Sequence, residues 1–282
     1  MPDPTIEPIT DSSLPEFATF LNAHLASDRS PEVWVKCLRT NWSPTRPNYG
    51  FVLRDSGQVV GGIGAYYADR LIRGEPERFC NITSWCVLDA YRRHSMRLAM
   101  AVIAQPGYHF TDFSPTKVVG GVLRFLKFRP LDERQAVILN LPWPSLDGQL
   151  LHRPADIAST LRGEALRIYR DHTDFAWLRH VLIGMHDGWC HVIYKRGRFK
   201  RLPAARVLHV SDRAIFDQYF RRLSSYLLRC GLATTHVECR FLNRSPRPSV
   251  IRSGFNQKLF LSSALSDTDI DYLYSESMAL DL

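Results

Sequence analysis

The densest chemistry in this sequence is cationic. Lys195-Arg196-Gly197-Arg198-Phe199-Lys200-Arg201 packs five cations, a glycine and an aromatic ring into seven residues without one acid. Read as a loop, this run suits a nucleic acid or an acidic substrate, with Phe199 stacking on a base. It equally suits a solvated connection in an arginine-rich chain. A second group, Arg92-Arg93-His94 with Arg97, lies where a helix begins; cations beside the unpaired amides of a helix start favour an anion. Glu238 stands between Val237 and Cys239 on an apolar stretch. A carboxylate so placed either takes up protons through a raised pKa or pairs with one of the many arginines. The six cysteines (Cys37, Cys80, Cys86, Cys190, Cys230 and Cys239) are scattered without a CxxC spacing. That pattern predicts isolated thiols and no metal site.

These groups are carried by 282 residues, 45% hydrophobic and 23% charged, enough apolar material for a packed core. The net charge is +8, from 36 basic and 28 acidic side chains. Residues 1–145 hold 16 basic and 14 acidic groups (+2), and the remainder 20 and 14 (+6). Arginine-rich codon usage accounts for 30 Arg against 6 Lys but not for the sign. The asymmetry points to an anionic ligand such as a nucleotide, a phosphate or RNA. The longest stretch without an Asp, Glu, Lys or Arg is Leu98–Thr111, short of the roughly 20 apolar residues that span a membrane. With no basic-then-apolar leader in Met-Pro-Asp-Pro-Thr and unpaired cysteines, the expected location is cytoplasmic.

The elements that position these groups read as mixed α/β. Leu14, Phe17, Leu21 and Leu25 share one face of a helix with Asp11 or Ser12 as its cap, and Ser30-Pro31 opens a second helix through Leu38. Strands are predicted at Phe51–Arg54 and Val59–Tyr67 about Asp55-Ser56-Gly57, then at Phe79–Leu88 and Tyr108–Phe113, with Arg134–Leu141 as a closing strand. Between them lie helices from Arg92 or Arg93 to Ile103, expected to be buried all round, and from Ser114-Pro115 to Leu126. Pro142-Trp143-Pro144-Ser145 reads as a linker. The order then partly repeats: a helix over Pro154–Tyr169, strands at Trp177–Met185 and Trp189–Lys195 about His186-Asp187-Gly188, a strand at Ala205–Val210, and a helix Ala214–Cys230 capped by Ser211-Asp212. A strand at Thr235–Phe241, a helical turn at Pro248–Ser253 and a strand at Lys258–Ser262 close the chain.

This order, with particular residues, resembles the GNAT acyltransferase superfamily. There the fourth strand ends in Val, a Tyr-Arg pair follows, and a glycine-containing loop at a helix start binds the acyl-CoA pyrophosphate through backbone N–H groups. The matching run is Val87-Leu88-Asp89-Ala90-Tyr91-Arg92-Arg93-His94-Ser95-Met96-Arg97. Val87, Tyr91 and Arg92 match, whereas Ser95 and Arg97 replace the two glycines. The second signature, a helix ending Tyr-x-x-x-Gly-Phe, keeps Phe128 but has Leu123 for the Tyr and Lys127 for the Gly. In the family that Tyr often protonates the CoA thiolate, so no general acid carries over. In the second half Asn243, Gly254 and Phe255 fit the longer form Asn-x-x-Ala-x-x-x-Tyr-x-x-x-Gly-Phe, with Pro246 and Val250 where the family has Ala and Tyr, while Val210-Ser211-Asp212-Arg213-Ala214 lacks a pyrophosphate loop.

The resemblance implies an α/β (α+β mixed sheet) chain of two GNAT-like lobes, each a mostly antiparallel, centrally splayed sheet flanked by helices. The expected division is a first lobe over 1–141 holding the acyl-CoA site, a linker over 142–153, and a second lobe over 154–282. The implied activity is transfer of an acetyl or other acyl group from acyl-CoA to the amine of a small molecule or protein by direct attack. Val87, Arg92, Arg93, His94, Ser95, Met96 and Arg97 would hold the cofactor. Direct attack needs a base near the acceptor, and the family places one on or beside the fourth or fifth strand. That nominates His109 and Asp112, with Ser84 able to hold a water and Glu238 as a third candidate. Alternation puts His109, Thr111 and Phe113 on one face and Asp112 on the other, so the first two are not expected to act together. Each has a plainer role as a structural histidine, a helix cap or a salt-bridge partner. Two further readings stay open: a transferase of this fold using a carrier such as aminoacyl-tRNA, its RNA held by the basic second lobe, and a lobe pair that only binds a ligand or partner.

Overall fold

The computed structural model describes residues 3–25, 28–40, 42–144, 147–186 and 188–281. Ser145 of the expected linker and Asp187 of the expected turn lie outside the described residues. In chain order the elements are β1 (Thr5–Pro8), α1 (Leu14–His24), α2 (Pro31–Leu38), β2 (Gly50–Asp55), β3 (Gln58–Ile72), β4 (Glu75–Val87), α3 (Ser95–Ile103), β5 (His109–Asp112), α4 (Lys117–Phe125) and β6 (Arg129–Pro130). They continue with β7 (Gln135–Leu139), β8 (Gln149–Leu151), α5 (Pro154–Thr160), α6 (Gly163–His172), β9 (Leu178–Met185), β10 (Gly188–Phe199), β11 (Leu202–Val210), α7 (Arg213–Arg229), β12 (Thr234–Glu238), β13 (Ser249–Arg252), β14 (Leu259–Leu261) and α8 (Glu276–Ala279).

The chain forms two compact units. The first comprises Met1–Leu131, Gln257–Ser266 and Tyr274–Leu282. Its sheet runs β1-β2-β3-β4-β5-β14-β6, antiparallel throughout except where β4 meets β5. The spacing of apolar residues dictates how the helices cover it. Leu14, Phe17, Ala18 and Leu21 bury one stripe of α1, and Leu98, Ala99 and Val102 bury one stripe of α3. Ser30 caps α2 by accepting the Val33 N–H, and Pro31 opens it. A core of Ile63, Ala65, Tyr67, Cys80, Ile82 and Leu98 lies on the sheet.

The second unit comprises Asp132–Asn256 and Asp267–Leu273. Its sheet runs β13-β7-β12-β11-β10-β9-β8 and is again antiparallel except for one pair, β11 with β12. Phe216, Phe220, Leu223 and Leu227 of α7 are buried. Asp212 Oδ1 accepts the Ile215 N–H at 2.9 Å to start that helix. Both units are therefore mixed α/β lobes with one parallel pair each.

Several expectations are corrected by these pairings. Gln135–Leu139 pairs with β12 and β13, so it belongs to the second sheet; the opening segment of the first unit ends at Leu131, not at 141, and Gln257–Ser266 and Tyr274–Leu282 of the expected second lobe belong to the first unit. Lys258–Ser262 is a strand as expected, but it pairs with β5 and β6 in the first sheet. The supposed linker contains β8, which pairs with β9. The helical turn expected at Pro248–Ser253 is the edge strand β13, so Gly254-Phe255 do not end a helix and that signature match fails. The helix expected over Pro154–Tyr169 is two helices, broken before Gly163, whose φ is +53°. Met96 and Met100 of α3 are exposed, because the buried stripe covers one side of the helix only.

Candidate active site

β4 and β5 pair only over Phe79–Asn81 and His109–Thr111. β4 then runs on to Val87 while β5 stops at Asp112, so the strands part. A bulge sits at the parting. Gly62 opposes Cys86 and Gly64 opposes Thr83, which leaves Ser84 and Trp85 together facing one residue, Ile63. Ser84 takes a left-handed φ of 49°. Bulges re-aim side chains, and a non-glycine residue held at positive φ is a local strain that concentrates at functional sites. The bulge also reverses the alternation of β4. Cys86 faces the opposite way from Cys80, although their spacing alone puts them on one side.

A cavity of about 320 Å³ occupies the parting, lined by Thr83, Ser84 and Trp85 of β4, by Asp112, by Ser114, Pro115 and Thr116, by Val119 of α4, and by Leu25, Arg29, Trp34 and Leu280. That is the low end of the ~300–1,000 Å³ of small-molecule sites. Of the three candidate bases, Asp112 lines it. The Asp112 carboxyl is buried, and its Oδ1 accepts the Ser114 N–H at 3.1 Å. Burial first, then the charge of Glu276, raise its pKa well above the usual carboxylate range, against a smaller opposing pull from the Ser114 amide. Glu276 is a partner no sequence pattern announced. It opens α8, and its Oε1 accepts the Phe113 N–H at 3.0 Å and the Ser114 hydroxyl at 2.9 Å. Its own N–H donates to Asn81 Oδ1 at 2.9 Å. Asn81 in turn donates to Thr111 O and Oγ1, which ties α8 to the last paired residues of β4 and β5.

Past the cavity, β4 ends at Val87 and a 3-10 turn over Asp89–His94 leads into α3. Arg92, Arg93 and Arg97 are exposed around buried His94. Arg92 pairs with Asp89 at 2.7 Å, both side chains largely in solvent, an interaction worth little in water. Arg97 lies 3.7 Å from Asp3. Arg93 Nε donates to His94 Nε2 at 2.9 Å, and Arg97 Nη1 lies 3.2 Å from His94 Nδ1. A neutral imidazole accepts at one nitrogen only, so one of these two contacts is not a hydrogen bond. The turn consumes amides that a glycine loop leaves free: Tyr91 N–H donates to Leu88 O and Ser95 N–H to Arg92 O. The Tyr91 hydroxyl bonds Asp55 in the β2–β3 hairpin. Ser95 is half-buried and Met96 exposed at the start of α3.

The remaining sequence candidates lie elsewhere. His109 Nε2 is 2.8 Å from Glu77 Oε2, beside the Phe79 ring, and does not line the cavity. Glu238 is buried in the second unit. Its Oε2 accepts Arg240 Nε at 2.6 Å and its Oε1 accepts the Tyr272 hydroxyl. Asp271 accepts from or pairs with His209 at 2.7 Å, so residues 271 and 272 together bridge the ends of β11 and β12. The cationic run 195–201 is not a loop: Lys195–Phe199 is the end of β10, paired with Leu202–Arg206. Lys195 is buried over Trp177, Arg196 donates to Cys230 O at 2.7 Å, and Phe199 packs edge-on against His236. Arg198, Lys200 and Arg201 stay exposed. Among the described residues no cluster of three or more metal-ligating side chains occurs, and no helix is long and apolar enough to cross a membrane.

No family description matches the sequence, and no curated protein resembles it in sequence. Solved structures do. A GCN5-related N-acetyltransferase from Anabaena variabilis superposes with a TM-score of 0.62 at 14% identity, over 91% of this chain and 72% of that one. A probable N-acyltransferase from Enterococcus faecalis gives 0.60 at 11%, over 92% and 72%. A putative acetyltransferase from Pyrococcus horikoshii gives 0.52 at 11%, over 99% and 96%. At such identities the likeness shows the fold alone, and that fold is GNAT-like.

Proposed function

We propose that this chain is an acyltransferase that moves an acyl group from acyl-CoA to an amine, with the donor in the first lobe. The observation that carries this reading is the open cavity between the parted ends of β4 and β5, beside the Ser84 bulge. Backbone along Thr83–Trp85 has no β5 partner there and is free to pair with an extended ligand, as an added strand does. The thioester lies against this edge, and Asp112 is the proton-transferring group within reach. The donor's diphosphate lies beyond Val87, at Arg92, Arg93 and Arg97. Side-chain guanidinium groups replace the loop amides that the 3-10 turn has consumed, since charge-assisted Arg–phosphate bonds are strong and directional. Buried His94 braces Arg93 or Arg97, and Ser95 and Met96 form the first turn behind them. In the second lobe the bridge made by Asp271 and Tyr272 occupies the corresponding strand ends, and Asp212 puts a carboxylate on the helix start. The donor is therefore assigned to the first lobe alone. Calorimetric titration with acetyl-CoA tests this: replacing Arg92 and Arg97 together by Ala is expected to weaken binding at least tenfold, as charged hydrogen bonds are worth about 1.5–3 kcal/mol each. Unchanged affinity overturns the placement of the diphosphate.

A further inference from the structure

The chain lacks the phenol that the family resemblance would supply to a departing thiolate, because Leu123 stands in its place and is wholly buried in the core. A thiolate expelled into a buried site still needs a proton, and among the described residues that line the parting of β4 and β5 Asp112 is the carboxylic acid. Asp112 lines the cavity, and Glu276 is wrapped around the same corner, Asp112-Phe113-Ser114. Glu276 is wholly buried. Its Oε1 accepts the Phe113 amide and the Ser114 hydroxyl, and the Asn81 side chain adds a further hydrogen bond that favours the charged carboxylate. Two buried carboxylates in one corner do not both ionise. The donors to Glu276 stabilise its charged form, so the pair holds its charge on Glu276 and its proton on Asp112.

We infer that Asp112 is the general acid of the transfer, kept protonated by Glu276, and that Glu276 is its positioning residue. This rests on the acyl-CoA reading above. In the step, the amine nitrogen attacks the thioester carbonyl carbon and the C–S bond breaks with its electron pair going to sulfur. The Asp112 proton passes to that sulfur, giving the free thiol. The proton lost by the nitrogen as it becomes an amide returns to the Asp112 carboxylate, so one proton is recycled and none is consumed. The other charged or titratable groups around the pair are Arg29, which lines the same cavity and stacks over Trp34, and Tyr66. Burial first, then Cys37 and Glu276, push the Tyr66 phenol up, so it stays neutral and does not compete.

The test is a carboxyl 13C NMR titration of the whole chain labelled at Asp and Glu side chains, paired with thiol release from acetyl-CoA using hydroxylamine as the acceptor. Wild type is expected to show one carboxyl still protonated at pH 7. That signal should vanish in Asp112→Asn and titrate at lower pH in Glu276→Gln, a shift that a purely structural role for Glu276 would not produce. Thiol release should fall at least tenfold in Asp112→Asn with acetyl-CoA affinity unchanged, in keeping with the roughly 10²–10⁴-fold value of general acid–base catalysis. A wild-type chain with every carboxyl ionised at pH 7, or an Asp112→Asn variant releasing thiol as fast as wild type, overturns the inference. If wild type fails to bind acetyl-CoA, the acyl-CoA reading fails instead, and the wild-type titration still decides where the proton resides.

Discussion

Burial and pairing decide which acids in this chain can exchange protons. Glu238 has the buried setting that made it a candidate base, yet Arg240 and Tyr272 occupy both its oxygens. It is a structural ion pair: Arg240→Ala is expected to cost about 3–5 kcal/mol by leaving an uncompensated buried carboxylate, measured by denaturant unfolding. Asp112 has the opposite environment: burial and the neighbouring Glu276 charge both disfavour its ionised form. Asp112, Ser84 and the Arg92–Arg97 group were all legible as residue types. Which of them faced a cavity was not, because that depends on where β4 and β5 stop pairing. Glu276 was illegible for a plainer reason: it lies 163 residues from Phe113 in the chain, and no local pattern connects them.

At the scale of elements, the sequence was most readable where a stripe or a cap fixes the answer. The stripes of α1 and α7, the Ser30 cap and the Asp212 cap all stand where spacing put them. It was least readable at irregularities. The Ser84 bulge inverts the phase of β4 and turns Trp85 and Ser84 to the cavity, and no residue type marks it. Lys127 shows how a departure from a signature can keep its geometry. It adopts φ +71° after α4, while the Phe128 N–H closes on Leu123 O at 3.0 Å, the backbone for which glycine is the usual choice. Lys127→Gly should therefore stabilise the fold by about 1 kcal/mol, the relief of a left-handed non-glycine residue, read as a higher melting temperature. Val118 and Phe125 on the same helix are exposed.

For the molecule as a whole, the repeat in element order was legible, but the cut between the lobes was not. Strand order in space assigns β7 to the second sheet and β14 to the first, and local propensity carries no such information. The charge also divides unevenly in its use. Part of the cationic run at 195–201 is absorbed by packing, leaving Arg198, Lys200 and Arg201 in solvent, whereas the three arginines near His94 are all exposed. The second unit carries a further whole-lobe property. His172, His180, His191 and His209 are neighbours there, with His180 Nδ1 at 3.1 Å from His191 Nε2 and the His191 and His209 rings 5.7 Å apart. Burial lowers His172 to about 3 and His180 to about 4 from an ordinary 6.5, and lowers His191 as well. Below pH 6.5 the unfolded chain takes up protons that the folded lobe refuses, so stability is intact above that pH and lost as it falls toward 4. Hydrogen-exchange protection of β9–β11 should decline across this window, and more gently in His180→Gln.

Whether the parting of β4 and β5 receives an acyl-CoA is read most directly by calorimetric titration of acetyl-CoA into wild type and Val119→Trp. Val119 lines the cavity from α4, so an indole there fills the space while the sheet is untouched. Saturable binding is expected for wild type, and its loss in a Val119→Trp chain that melts at the wild-type temperature. Equal binding by both, or no heat from wild type at millimolar acetyl-CoA, contradicts acyl-CoA binding at the parting.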